Sequence, residues 1–172
     1  MKHTLVARVQ DQPGVLNRVA SLFRRRAFNI DSLTVGGSET KDFSRMTIVV
    51  DTAKAPAHFV ASNLRKLVPV LEVTDVTHVP TVERDLALIR VNCAPAERAE
   101  LSNLADIFRG RIVDVSADSV ILEVTGDVDK VDGLVELLRP RGIVEMVRTG
   151  KIALVRGNAA SASQGPALAQ TA

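Results

Sequence analysis

The chain has no tryptophan and no tyrosine, a single cysteine, and only 3% aromatic residues among its 172. Each scarcity excludes something. Cores have to be assembled from Val, Leu, Ile and Ala, which the 46% hydrophobic fraction supplies. RNA-binding sheets stack bases on aromatic side chains, and here the strands offer almost none, with Phe43 at best beside one. The lone Cys93 rules out an intrachain disulfide and any multi-cysteine metal site, and its setting, Ile89-Arg90-Val91-Asn92-Cys93, reads as a buried, inert thiol. Three histidines, His3, His58 and His78, show no metal-ligand spacing and read as surface residues. No nucleophile with a nearby base can be assembled, so the composition points away from an enzyme. No apolar run approaches the ~20 residues of a membrane span and no charged-then-apolar leader opens the chain, so the expectation is a soluble, cytoplasmic protein without a membrane partner. A net charge of +2 is too small to argue for nucleic acid. The one basic run, Arg24-Arg25-Arg26, suits the solvated C-terminal end of a helix.

Periodicity supplies the architecture. The alternation Leu5, Ala7, Val9 predicts a strand, and the stripe Val15, Val19, Leu22, Phe23 predicts an amphipathic helix. Residues 29–36 and 44–51 read as strands, the second through Met46, Ile48 and Val50, joined by a polar hairpin loop. A helix over 56–67 would bury Ala57, Val60, Leu64 and Leu67, and a strand over 68–79 completes a βαββαβ order, which is ferredoxin-like. The order then repeats. Residues 84–93 read as a strand, and 97–108 as a helix burying Leu101, Leu104, Ala105 and Phe108. A strand pair over 111–116 and 119–125 follows, then a helix with Val128, Val131, Leu134, Val135 and Leu138 on one face, stopped by Pro140 and Gly142, and a strand over 143–148. The expected fold class is therefore α+β, with two tandem ferredoxin-like βαββαβ domains at 1–79 and 84–157, a linker at 80–83, and a tail at 158–172 whose Ala, Ser and Gln content reads as disordered.

One turn carries a chemical signal. In Asp11-Gln12-Pro13-Gly14-Val15-Leu16 an acidic-Pro-Gly turn ends a strand and opens a helix, whose first N–H groups, near Val15 and Leu16, lack intrahelical acceptors. The positive end of the helix favours a carboxylate, and glycine lets it approach the backbone. Asn29, at the start of the next strand, has an amide that can donate to a carboxylate and accept from an ammonium. A free α-amino acid satisfies both. The second repeat has Cys93-Ala94-Pro95-Ala96-Glu97 in place of this turn, so the site belongs to the first.

Residues 5–79 resemble an ACT domain, and residues 1–157 resemble the small, regulatory subunit of acetolactate synthase (acetohydroxyacid synthase). The residues that carry the resemblance are Pro13 to Val19, Arg26 to Val35, Ser44 to Ile48, Leu67-Val68, Val82-Glu83-Arg84, Ile107-Phe108-Arg109-Gly110 and Arg148-Thr149-Gly150, with Leu154 and Arg156-Gly157. The resemblance implies a non-catalytic protein that binds and activates a separate thiamine-diphosphate catalytic large subunit. It also implies feedback inhibition by valine in branched-chain amino-acid biosynthesis. This chain would bind no cofactor, with thiamine diphosphate, Mg and FAD expected on the catalytic partner. ACT domains would pair into a homodimer, with valine between the helix-1 turn of one subunit and the Asn-Ile strand of its neighbour. Carried over by position, that points to Asp11, Gly14, Val15 and Leu16 on one side and to Asn29 and Ile30 on the other, with Val35 as a further effector-binding residue. Several relatives have Asn where this chain has Asp11, whose carboxylate would repel the ligand's unless it faces the ammonium. Gly126-Asp127-Val128 superficially matches the start of a thiamine-diphosphate motif but lacks its second glycine and reads as a strand-to-helix turn. The alternative reading is a free-standing ACT amino-acid sensor for another enzyme or a transcription factor.

Overall fold

The computed structural model describes residues 1–51 and 56–157, so the tail expected to be disordered at 158–172 lies outside the described residues. The elements run β1 (Lys2–Gln10), α1 (Val15–Arg26), β2 (Ile30–Gly37), β3 (Phe43–Asp51), α2 (Ala57–Leu64), β4 (Val70–Asp75), β5 (Thr81–Asn92), α3 (Arg98–Ile107), β6 (Arg111–Val115), β7 (Ser119–Gly126), α4 (Val128–Leu138), β8 (Ile143–Arg148) and β9 (Ile152–Val155).

The chain divides into two units, one holding Met1–Val82 and the described residues from Ala153 to Gly157, the other Glu83–Ile152. In the first unit an antiparallel sheet of order β2-β3-β1-β4 carries α1 and α2 on one face. Leu5, Ala7 and Val9 from β1 and Met46, Ile48 and Val50 from β3 meet Val15, Val19, Leu22 and Phe23 of α1 and Val60 and Leu64 of α2. The second unit repeats the order as β6-β7-β5-β8. Its core joins Ala87, Ile89 and Val91 to Leu101, Ala105, Leu134 and Leu138, with Cys93 buried among them. Both sheets carry the ferredoxin-like strand order expected from the βαββαβ pattern. Even the irregularities repeat. The first sheet has bulges at Arg8/Val9 and between Ile30 and Ser32, and the second at Arg90/Val91 and between Ile112 and Asp114.

The structure departs from the sequence expectation in several places, among them β4, which spans only Val70–Asp75, and Leu104 and Phe108, which are only partly buried. α2 stops at Leu64, because Pro69 disfavours helix in the residue before it and the chain tightens into turns, with Lys66 N–H donating to Asn63 O and Leu67 N–H to Leu64 O. Leu67 consequently packs against the core while only half-buried. Thr81 to Glu83, expected as linker, already belong to β5. His3, expected at the surface, is half-buried, with its ring held by Asp75. Finally, β9 has no counterpart in the periodicity reading, and from Ala153 on it belongs to the first unit although its residues fall within the second expected domain. β9 pairs with β5, and just past its end Arg156 N–H donates to Pro80 O at 2.8 Å. Arg45 Nη2 donates to Ala153 O at 3.2 Å. Ala153 forms a small cluster with Val6 and Val76, flanked by Val155, on the sheet face opposite the helices.

Candidate functional site

Gly14 is the hinge of the candidate site. It stands at φ 86, ψ −5, the left-handed conformation in which glycine alone is unstrained, and from there the chain turns into α1. Gln12 O accepts from Val15 N–H at 3.3 Å and Gly14 O accepts the first helical bond from Arg18 N–H at 3.0 Å. No side chain caps the helix. The first-turn N–H groups beyond Val15 therefore remain as donors, at the positive end of a twelve-residue helix. A Cβ placed on Gly14 would meet nothing within 4 Å, so the space in front of the turn is open. Asp11 is exposed, and its backbone N–H donates to Asp42 O at 2.8 Å, which ties the turn to the β2–β3 loop. Val15 points into the core, while Leu16 is half exposed beside the turn.

The corresponding helix start in the second unit is closed. There a 3-10 turn at Pro95–Glu97 precedes α3, and the Glu97 carboxylate accepts from Ala94 N–H at 3.0 Å. The protein supplies its own anion in the second copy and none in the first.

Asn29 is exposed, following the left-handed Ala27 that ends α1. Its amide donates to Asp31 Oδ1 at 2.6 Å, and Asp31 Oδ2 in turn holds Lys2 Nζ at 3.0 Å. One amide hydrogen and the carbonyl oxygen of Asn29 remain for other partners. Asp31 is the orienting residue that the motif reading missed. It sits in the bulge between Ile30 and Ser32, a local irregularity that re-aims side chains and leaves no periodic trace.

The two halves of the candidate site lie at opposite ends of the sheet within one chain. Ile30 pairs with Val50 and Lys2 with Asp51 at one end, whereas Gln10 pairs with Phe43 at the other, just before the Gly14 turn. The length of α1 separates them, about 18 Å for twelve residues. Val35, which pairs with Met46 and is exposed, lies toward the Gly14 end, five residues along β2 from Ile30, or roughly 17 Å. β2 is an edge strand of its sheet. One chain thus brings Gly14, Val15, Leu16 and Val35 to one end and Asn29 and Ile30 to the other.

Asp75 and Arg148 are engaged structurally. Burial raises Asp75, but hydrogen bonds from the Thr77 hydroxyl and N–H and from His3 outweigh it and hold the carboxyl below the usual carboxylate range. Burial alone would lower Arg148, yet its bonds to Asp132 and to the buried Asp85 raise it. The Arg24 to Arg26 run forms the exposed last turn of α1, and Asp127 caps α4 by accepting from Lys130 N–H at 2.9 Å, a strand-to-helix turn. No helix among the described residues is long and apolar enough to cross a membrane.

Residues 5–72 match a family model described as the AHAS small subunit-like ACT domain, and residues 84–157 match one described as the small subunit of acetolactate synthase. A probable acetolactate synthase small subunit of Archaeoglobus fulgidus is 54% identical over 158 residues, covering 92% of this chain and 99% of that protein. The acetolactate synthase small subunit of Bacillus subtilis is 43% identical over 164 residues, covering 95% of each. The crystal structure of the acetolactate synthase small subunit from Thermotoga maritima superposes with a TM-score of 0.84 at 40% identity, over 92% of this chain and 99% of that one. With both repeats matched and relatives aligned over nearly their full length, the chain belongs to the acetolactate synthase small-subunit family.

Proposed function

We propose that this chain is a non-catalytic regulatory subunit: it binds the acetolactate synthase catalytic large subunit, raises its activity, and makes it sensitive to valine. The observation that supports the reading most is the split site. An open helix N-terminus at Gly14 and the Asn29–Ile30 strand start lie at opposite ends of one sheet, and the strand between them, β2, is an edge. Antiparallel pairing of two β2 strands about a two-fold axis would set the start of one β2 beside the end of the other. Each Asn29 would then approach the partner subunit's helix-1 turn, completing two equivalent sites per homodimer. The valine carboxylate would lie on the α1 N–H groups and its ammonium near the Asn29 carbonyl or Asp11. Thiamine diphosphate, Mg and FAD belong to the catalytic partner in this reading.

Valine would act by linkage. It stabilises one dimer arrangement, and the catalytic subunit distinguishes that arrangement from the empty one, with a typical coupling of ~1–3 kcal/mol. Reconstitution with the large subunit tests this. Gly14→Asp places bulk and negative charge where the carboxylate should sit, and is expected to abolish valine inhibition while activation survives. Asn29→His should weaken inhibition less. Loss of activation together with inhibition in Gly14→Asp would make Gly14 a folding residue, and failure of the wild-type chain to activate the large subunit would favour a sensor for another enzyme.

A further inference from the structure

The first unit has a second concavity, on the sheet face opposite the helices and away from Gly14. It is a cleft of about 190 Å³, below the ~300–1,000 Å³ of sites for drug-sized ligands and of a size for one small metabolite. Four charged side chains line it: Arg8, Arg45, Glu39 and Glu72. In the register of the sheet, Arg8 lies directly opposite Arg45 on β3 and directly opposite Glu72 on β4. Like charges facing each other across antiparallel strands repel. Among the described residues, none of the four is ion-paired. Arg8 lies 5.9 Å from the Phe43 ring, Arg45 holds the Ala153 carbonyl, and Glu72 accepts only from Thr74 at 3.4 Å. The rest of the lining combines the hydroxyl residues Ser38 and Thr74 with an apolar wall of Val6, Val76 and the β9 residues Leu154 and Val155.

This lining has a definite complement. A simple anion would face two carboxylates and a simple cation two guanidiniums. A molecule carrying both charges and a short apolar group satisfies every wall. We propose that the cleft binds a free α-amino acid with an aliphatic side chain. Its carboxylate rests on Arg8 and Arg45, its ammonium faces Glu72 and Glu39, and its side chain lies against Val6, Val76 and Val155. The site is separate from the Gly14 turn and lies wholly within one chain.

Calorimetric titration of the full chain with L-valine and L-leucine tests it, with isovalerate and isobutylamine as analogues lacking one charge each. The expected stoichiometry is two per chain in the wild type, falling to one in Arg8→Gln and in Glu72→Gln, and to one in Gly14→Asp. Arg8 and Glu72 are exposed, so these variants should melt as the wild type does. At the site that survives Gly14→Asp, each single-charge analogue should bind at least tenfold more weakly than valine. Wild-type stoichiometry and affinity in both Arg8→Gln and Glu72→Gln would overturn the proposal, as would isovalerate matching valine at that surviving site. Loss of all binding in a folded Gly14→Asp would overturn it while sparing the helix-turn reading. Full binding in Gly14→Asp with complete loss in Arg8→Gln would do the reverse.

Discussion

Gly14 offers a test that separates backbone strain from ligand geometry. Nothing lies within 4 Å of where its Cβ would stand, so Gly14→Ala meets no clash, but it must hold φ near +86. Left-handed backbone costs a non-glycine residue about 1–2 kcal/mol, and for a chain of this size each kcal/mol lowers the melting temperature by roughly 2–4 °C. Gly14→Ala should therefore melt a few degrees lower and still bind valine at the α1 turn, whereas Gly14→Asp should show the same drop and lose binding at that turn. Melting curves paired with titrations distinguish the two. Asp75 gives a pH signature. Its folded carboxyl titrates below the unfolded value near 4, so its contribution is fully present above that value and is lost as pH falls through the folded value. Asp75 is a third exposed, which keeps its worth to about 1 kcal/mol. Asp75→Asn should melt below the wild type at pH 5, and the gap should close as pH is lowered toward 2.

At the scale of elements, helices were the most legible part. The stripe Val15, Val19, Leu22, Phe23 is the set that α1 buries, and α4 buries Val131, Leu134, Val135 and Leu138, with Val128 only half-buried at its start. A 3.6-residue period spread over three turns leaves few alternatives. Short strands and bulges are less legible because their placement depends on a partner strand far along the chain. β9 has four residues, alternates weakly, and is held by bonds to Pro80 and Arg45 that no local pattern announces. The Gly14 turn was legible because its chemistry is local, and the Asn29–Asp31–Lys2 chain was not, because Lys2 comes from another strand. Tight packing between elements gives a further prediction. A Cβ on Gly110, between α3 and β6, would stand 2.7 Å from the Glu123 backbone oxygen, whereas one on Gly36, in the edge strand β2, would meet nothing within 4 Å. Gly110→Ala should destabilise the chain by about 1–3 kcal/mol, and Gly36→Ala should be close to neutral in chemical denaturation.

For the whole molecule, the two similar folds are not simply consecutive in the chain. The first unit resumes at Ala153 after the second has been completed, so the second occupies an interruption of the first. A chain ending after Val79 would keep its helices and four-stranded sheet but lose the cover that Ala153 and Val155 give to Val6 and Val76. Such a truncated chain should bind a hydrophobic dye more strongly and melt lower than the first unit does in the full chain; equal dye binding would show that β9 contributes nothing to that face. The same arrangement sets an order of events during synthesis. About 70 residues separate Val82 from Ala153, and at ~5–20 residues per second the ribosome needs roughly 4–14 s to make them. Throughout that interval the nascent first sheet has one face packed and the other bare. Its last contact, Val6 with Ala153, closes nearly the whole length of the described chain, the kind of distant pairing that slows folding. The half that carries the Gly14 turn, first to emerge, is thus the last to be finished.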